Sequence, residues 1–263
     1  MAALEGSPGL ALGNAFGSNI INIGLVIGVT ALISPLVVHS RVIRREMPLL
    51  LGVTVVASLI LLEGSLRRWE GGILLLGFFL VIGWTVIASV RGGSDALGAE
   101  VEEELKRRPK MSSPKALVMA LVGLVILILS SRLLVWASVE LAQALGVSDL
   151  VIGLTVVALG TSMPELAASI TAALTKEDDI AIGNIIGSNM FNLLAVIGIA
   201  GLVAPIEHLD RDILTRDLPA VVVFTLALFI LGFGFRSQGR ISRPKGGMLL
   251  LEFAIYMWIL FMS

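Results

Sequence analysis

Long apolar runs separated by short polar turns dominate the chain. Eight stand out, at residues 9–35, 47–63, 71–91, 115–145, 148–174, 179–204, 214–235 and 246–262. Each is near or above the ~20 residues a helix needs to cross about 30 Å of hydrocarbon. A spanning segment must satisfy its own backbone, and these runs are too long for barrel strands. The pattern predicts an all-α polytopic membrane protein of eight helices. The longest polar stretch, from Arg91 to Lys115, carries Glu100, Glu102, Glu103, Glu104, Lys106, Arg107, Arg108 and Lys110. It reads as a solvated loop, 92–114, between a first half, 1–91, and a second, 115–263.

Composition excludes several classes. Of 263 residues, 56% are hydrophobic and only 15% charged, where a soluble domain carries about 25%. There are no cysteines, hence no disulfide and no thiolate metal site. His39 and His208 fall in loops and offer no zinc cluster, and no resident cofactor is expected. Basic residues are not interleaved with aromatics as a nucleic-acid surface requires. The net charge of −1 is uninformative, but its distribution is not. With loop 92–114 in the cytoplasm, 14 of the 19 Lys and Arg residues lie on the cytoplasmic side. Arg67, Arg68, Arg211 and Arg216 lie outside, and Arg132 lies within a helix. The positive-inside rule favours this orientation, which puts the C-terminus outside a multi-pass protein of the inner (plasma) membrane.

One polar pattern occurs twice inside the apolar runs. Gly13-Asn14-Ala15-Phe16-Gly17-Ser18-Asn19-Ile20-Ile21-Asn22 returns as Gly183-Asn184-Ile185-Ile186-Gly187-Ser188-Asn189-Met190-Phe191-Asn192. At an offset of 170, Ala2–Pro35 matches Ala172–Pro205 at 15 of 34 positions. Five crossings separate the copies, so they traverse the membrane in opposite senses. Inverted repeats with polar, interrupted helices are the architecture of secondary transporters. The glycines also suit close helix packing. Packing does not explain why Ser18, Asn19 and Asn22 recur as Ser188, Asn189 and Asn192.

Before the second copy stands Gly160-Thr161-Ser162-Met163-Pro164-Glu165. Proline removes a backbone donor, so a break in the helix is expected here, exposing carbonyls beside two hydroxyls. Glu165 adds a carboxylate at membrane depth, where charge costs at least ~2.5 kcal/mol and is functional by default. Oxygen ligands of this kind suit hard cations such as Na⁺ or Ca²⁺. A salt bridge from Glu165 to Arg132 is the competing reading. Arg132 and Glu140 share a helix face and read mainly as structural.

These two motifs together resemble the second alpha-repeat of the calcium/cation antiporter superfamily, with the prokaryotic sodium/calcium exchanger-like membrane proteins as the nearest group. The resemblance implies ten helices in two inverted halves and exchange of Ca²⁺ for Na⁺, or H⁺, by alternating access. It implies Glu165 as the central Ca²⁺ and Na⁺ ligand, with oxygens from Thr161, Ser162 and the Ala158 carbonyl. Ser188 and Asn192 would ligand from the following helix, and Ser18 and Asn22 would be their symmetry mates. The cations are cargo. Asn22 and Asn192 are both amides where some relatives carry an acid, which leaves the coupling ion open.

The first Gly-Thr-Ser-x-Pro-Glu element is absent. Met1 aligns with Thr171; judged by the second half, roughly 55 residues would precede Met1 in a complete inverted repeat, so eight of the ten helices are expected here. Upstream helices of the same protein, a second polypeptide, or decay of the gene would each account for this. An uncoupled channel-like or scaffold subunit is the alternative function. An intramembrane enzyme has little support, since the sequence shows no membrane-embedded His, no Cys and no paired-Asp motif.

Overall fold

A computed structural model describes residues 8–38, 42–91, 113–233 and 239–262. His39, Arg41, Arg236 and residues 92–112 of the expected loop lie outside the described residues. All eight apolar runs are helical. The first is α1 (Pro8–Ile21), a π-turn (Asn22–Ile27) and α2 (Gly28–Ile33). After strand β1 (Leu36–Val38) and a π-turn (Val42–Glu46) come α3 (Met47–Leu61) and α4 (Arg68–Arg91). The second half opens with α5 (Ser113–Ala144), then α6 (Asp149–Ile152), a π-turn (Gly153–Val157) and α7 (Ala158–Leu174). It continues through α8 (Asp178–Phe191), a π-turn (Asn192–Val196) and α9 (Ile197–Val203). A last π-turn (Ile213–Asp217) leads to α10 (Leu218–Gly232), β2 (Gly239–Ile241) and α11 (Arg243–Met262). Among the described residues, six of these helical spans are long and apolar enough to cross a membrane. Helix α3 is shorter because Arg44, Arg45 and Glu46 occupy the turn before it.

The break expected at Gly160–Pro164 does not occur. Helix α7 runs through Pro164, because a spanning helix tolerates the loss of one backbone donor where its neighbours support the turn. The irregularity lies one turn earlier, in the π-turn Gly153–Val157.

The repeat is visible in three dimensions. The π-turns begin at Asn22 and Asn192, 170 residues apart, and again at Val42 and Ile213, 171 apart. Each repeat packs its inner helix against the last helix of the other, α2 on α11 and α9 on α4. Glycines permit both approaches. A Cβ on Gly71 would meet the Gly198 carbonyl at 2.6 Å, and one on Gly246 would meet the Gly28 carbonyl at 2.8 Å. The connecting strands repeat the exchange. Leu36 bridges Ile241, and its counterpart Ile206 bridges Leu66. Helices α3 and α10 meet on the pseudo-twofold axis, where the equivalent residues Thr54 and Thr225 bring their hydroxyls within 3.5 Å. The core lies between the inner helices, with Phe16, Ile20, Ile23 and Phe224 fully buried.

Helices α5, α6 and α7 have no counterpart among the described residues of the first half. Helices α6 and α7 and the turn between them cover the Gly13/Gly17 face of α1. A Cβ on Gly17 would collide with the Leu154 carbonyl and lie 2.7 Å from the Ala158 methyl. On α8, nothing lies within 4 Å of a Cβ placed on Gly187. The equivalent face there borders an open groove of about 720 Å³, lined by Glu46, Phe78, Asn184, Gly187, Met190 and Phe191 among others.

Candidate functional site

Three helices bring polar side chains together: α1 with the turn after it, α7, and α8 with the turn after it. On α1, residues 14, 18 and 22 follow at four-residue steps, so Asn14, Ser18 and Asn22 share one face. Asn19 lies three residues before Asn22 on the neighbouring line. Helix α8 repeats the arrangement with Ser188, Asn189 and Asn192, and α7 adds Thr161, Ser162 and Glu165. The polar face of α1 is buried: Asn19 and Asn22 expose 1% and 0% of their surfaces.

Hydrogen bonds join the three helices. Ser188 donates its hydroxyl to Glu165 Oε1 at 3.0 Å and accepts from Asn22 Nδ2 at 3.3 Å. Asn22 Nδ2 also donates to Asn189 Oδ1 at 2.9 Å. In the mirrored contact, Asn192 Nδ2 donates to Asn19 Oδ1 at 3.3 Å. Position 19 thus meets 192 and position 22 meets 189, as two antiparallel helices require. Nearer the start of α1, Thr161 donates to Asn14 Oδ1 at 2.9 Å, and its hydroxyl lies 3.1 Å from that of Ser18. Thr161 also reaches the carbonyl of Ala158, itself buried, at 3.2 Å.

Three oxygens of this cluster are buried without a hydrogen-bond partner: Glu165 Oε2, Asn22 Oδ1 and Ser162 Oγ. Buried polar atoms are normally paired, so Glu165 Oε2 and Asn22 Oδ1, whose side chains both bond the Ser188 hydroxyl, are acceptors left for an electrophile. A carboxylate, an amide carbonyl and a hydroxyl form the donor set of a hard cation. Arg132 is exposed, and no ion pair joins it to Glu165 among the described residues.

All eight residues singled out from the sequence lie in or beside this cluster. Glu165, Ser188, Asn22, Thr161 and Ser18 join its hydrogen bonds directly. Asn192 reaches it through Asn19, Ser162 turns an unpaired hydroxyl toward the interior, and Ala158 lies at the α1 contact. The sequence reading left Asn14, Asn19 and Asn189 out of the site. Their spacing of three or four residues from Ser18, Asn22 and Asn192 was the available signal. A second polar cluster lies away from it, where Asp217 accepts from Arg216 Nε at 2.7 Å and from the Tyr256 hydroxyl at 3.0 Å. It ties α10 to α11.

Residues 1–87 and 115–262 match the sodium/calcium exchanger protein family. The chain belongs to that family. Over 263 residues it is 44% identical to CaxA of Alkalimonas amylolytica, covering all of this chain and 82% of that protein. It is 37% identical to the inner membrane protein YrbG of Escherichia coli, covering 99% of this chain and 79% of the relative. The sodium/calcium exchanger MaX1 of Methanosarcina acetivorans is 26% identical, with coverages of 99% and 82%. Among solved structures, the sodium-calcium exchanger NCX_Mj superposes with a TM-score of 0.74 at 29% identity, over 97% of this chain and 78% of that one. The exchanger fold of this multi-pass membrane protein is thereby shown, and the polar cluster lies at the contact between its two inverted repeats.

Proposed function

We propose that this chain carries out secondary active transport, exchanging Ca²⁺ for Na⁺ or H⁺ by alternating access, with the cation held by Glu165, Asn22 and Ser162. The observation that carries this reading is the set of three buried, unpaired oxygens on α7 and α1. Thr161, Ser188, Asn192, Ser18 and the Ala158 carbonyl line the same polar seam and complete the candidate ligand set. Glu165 supplies one negative charge, and a divalent ion in a low-dielectric site is best matched by two. Competition then drives exchange, because Na⁺ or H⁺ neutralises the same carboxylate and releases Ca²⁺.

The second carboxylate belongs, in this reading, to a transmembrane helix seated in the open groove on α8. The supporting observation is the symmetry mate of that groove, which α6 and α7, the latter carrying Glu165, fill on α1. The helix comes from upstream in the same protein or from a second polypeptide, and the intact mass of the natively expressed protein distinguishes the two. Loop 92–114 is assigned to the cytoplasm and the C-terminus to the outside, on the 14-to-4 bias of basic residues.

The test is Ca²⁺ uptake into membrane vesicles containing the natively expressed protein, under an imposed Na⁺ or H⁺ gradient. Uptake is expected to follow the gradient and to vanish in Glu165→Gln while the protein remains folded. Flux that persists unchanged without a counter-ion gradient would overturn exchange in favour of a channel-like subunit.

A further inference from the structure

We infer that Asn19 and Asn189 are positioning residues that orient the amides of Asn22 and Asn192, so that amide oxygen rather than amide nitrogen faces the cation. The inference rests on the reading of this cluster as a cation site. A side-chain amide has one oxygen that accepts and one nitrogen with two protons to donate. Only the oxygen can ligand a cation. In a buried site the amide must therefore be held in one of two nearly isosteric orientations.

The structure shows what holds it. Both protons of Asn22 Nδ2 are used, one on Asn189 Oδ1 at 2.9 Å and one on Ser188 Oγ at 3.3 Å. Asn22 Oδ1 is left buried and unpaired. A flipped Asn22 would set its carbonyl against that of Asn189 and turn its protons toward the ion. The equivalent contact, Asn192 Nδ2 on Asn19 Oδ1 at 3.3 Å, fixes one proton of the Asn192 amide from the other repeat.

The two positioning amides gain little for themselves. Asn19 Nδ2 and Asn189 Nδ2 are both buried without a hydrogen-bond partner. An unpaired buried donor is a stability cost that leucine, of similar size, would avoid. The same cost at both symmetry-related positions points to a requirement for the carbonyl end. Each contact crosses from one repeat to the other, so an amide in one half is aimed by a residue of the opposite half.

Equilibrium ⁴⁵Ca²⁺ binding to the natively expressed protein, with any upstream helices or second polypeptide retained, in lipid nanodiscs tests this, with helicity and monodispersity as the readout of folding. Asn189→Leu and Asn19→Leu remove the accepting oxygen and are each expected to weaken Ca²⁺ binding about tenfold. Asn189→Asp and Asn19→Asp keep that oxygen and are expected to bind within about threefold of wild type, or tighter. A purely structural role would not separate Leu from Asp in this way. A folded Leu variant that binds like wild type overturns the inference. So does a folded Asp variant that loses binding, and this decides the matter where the Leu variants fail to fold. Wild-type protein that binds neither Ca²⁺ nor Na⁺ overturns the cation site itself, an outcome distinct from wild-type binding with an indifferent Leu variant.

Discussion

At the scale of single residues, charge separates the candidate ligands. Glu165 carries the carboxylate of the cluster, with one oxygen fixed by Ser188 and the other unpaired. Its replacement by Gln removes the charge while keeping the shape, so Ca²⁺ affinity is expected to fall at least about 100-fold, or about 2.7 kcal/mol. Asn192→Ala removes a neutral group and is expected to cost about tenfold, or about 1.4 kcal/mol. Equal losses in ⁴⁵Ca²⁺ binding would show that Glu165 has no privileged place. Glu165 was legible in the sequence because a carboxylate deep in an apolar run is costly without a function. The pairing of Asn19 with Asn192 and of Asn22 with Asn189 was not. Spacing gives the face of a helix, but not which residue of an antiparallel neighbour lies opposite.

Among the elements, the repeated Gly-xxx-Gly pattern has two different fates. On α1 it is filled: a side chain at Gly17 would drive into the Leu154 backbone and the Ala158 methyl. Gly17→Val is expected to destabilise the protein by about 1–3 kcal/mol through overpacking. With residues 1–263 expressed alone, the same change at Gly187 enters open space and is expected to stay within about 0.5 kcal/mol, whereas with the proposed helix seated in the groove it would meet that helix. Thermal melting of the two variants in detergent checks this, and equal melting temperatures would contradict the asymmetry. Helix existence was readable from apolar run length alone. The π-turns were not, because Asn22–Ile27 and Asn192–Val196 look like ordinary helical sequence. A π-turn inserts one residue and rotates the following face by about 100°, a shift that leaves no mark in runs apolar on every side. The proline at 164 misled in the other direction. It marks a helix weakened at one hydrogen bond, and the surrounding helices keep that helix continuous.

For the molecule as a whole, the repeat in the sequence forecast the inverted architecture, since 15 identities in 34 positions cannot be set by hydrophobicity alone. The way the halves interlock was hidden, because it depends on contacts between segments more than 100 residues apart. Helix α2 lies on α11, α9 on α4, and Thr54 faces Thr225 across the axis. These reciprocal embraces make the single chain behave as a pair of partners that cannot stand apart. Cutting it between residues 100 and 101, in the polar loop, should therefore give two polypeptides that are each degraded when expressed alone. Expressed together, they should assemble and co-purify through a tag on either one. Such complementation would mean that the covalent link serves to keep the halves in equal number, while mutual recognition within the membrane builds the fold.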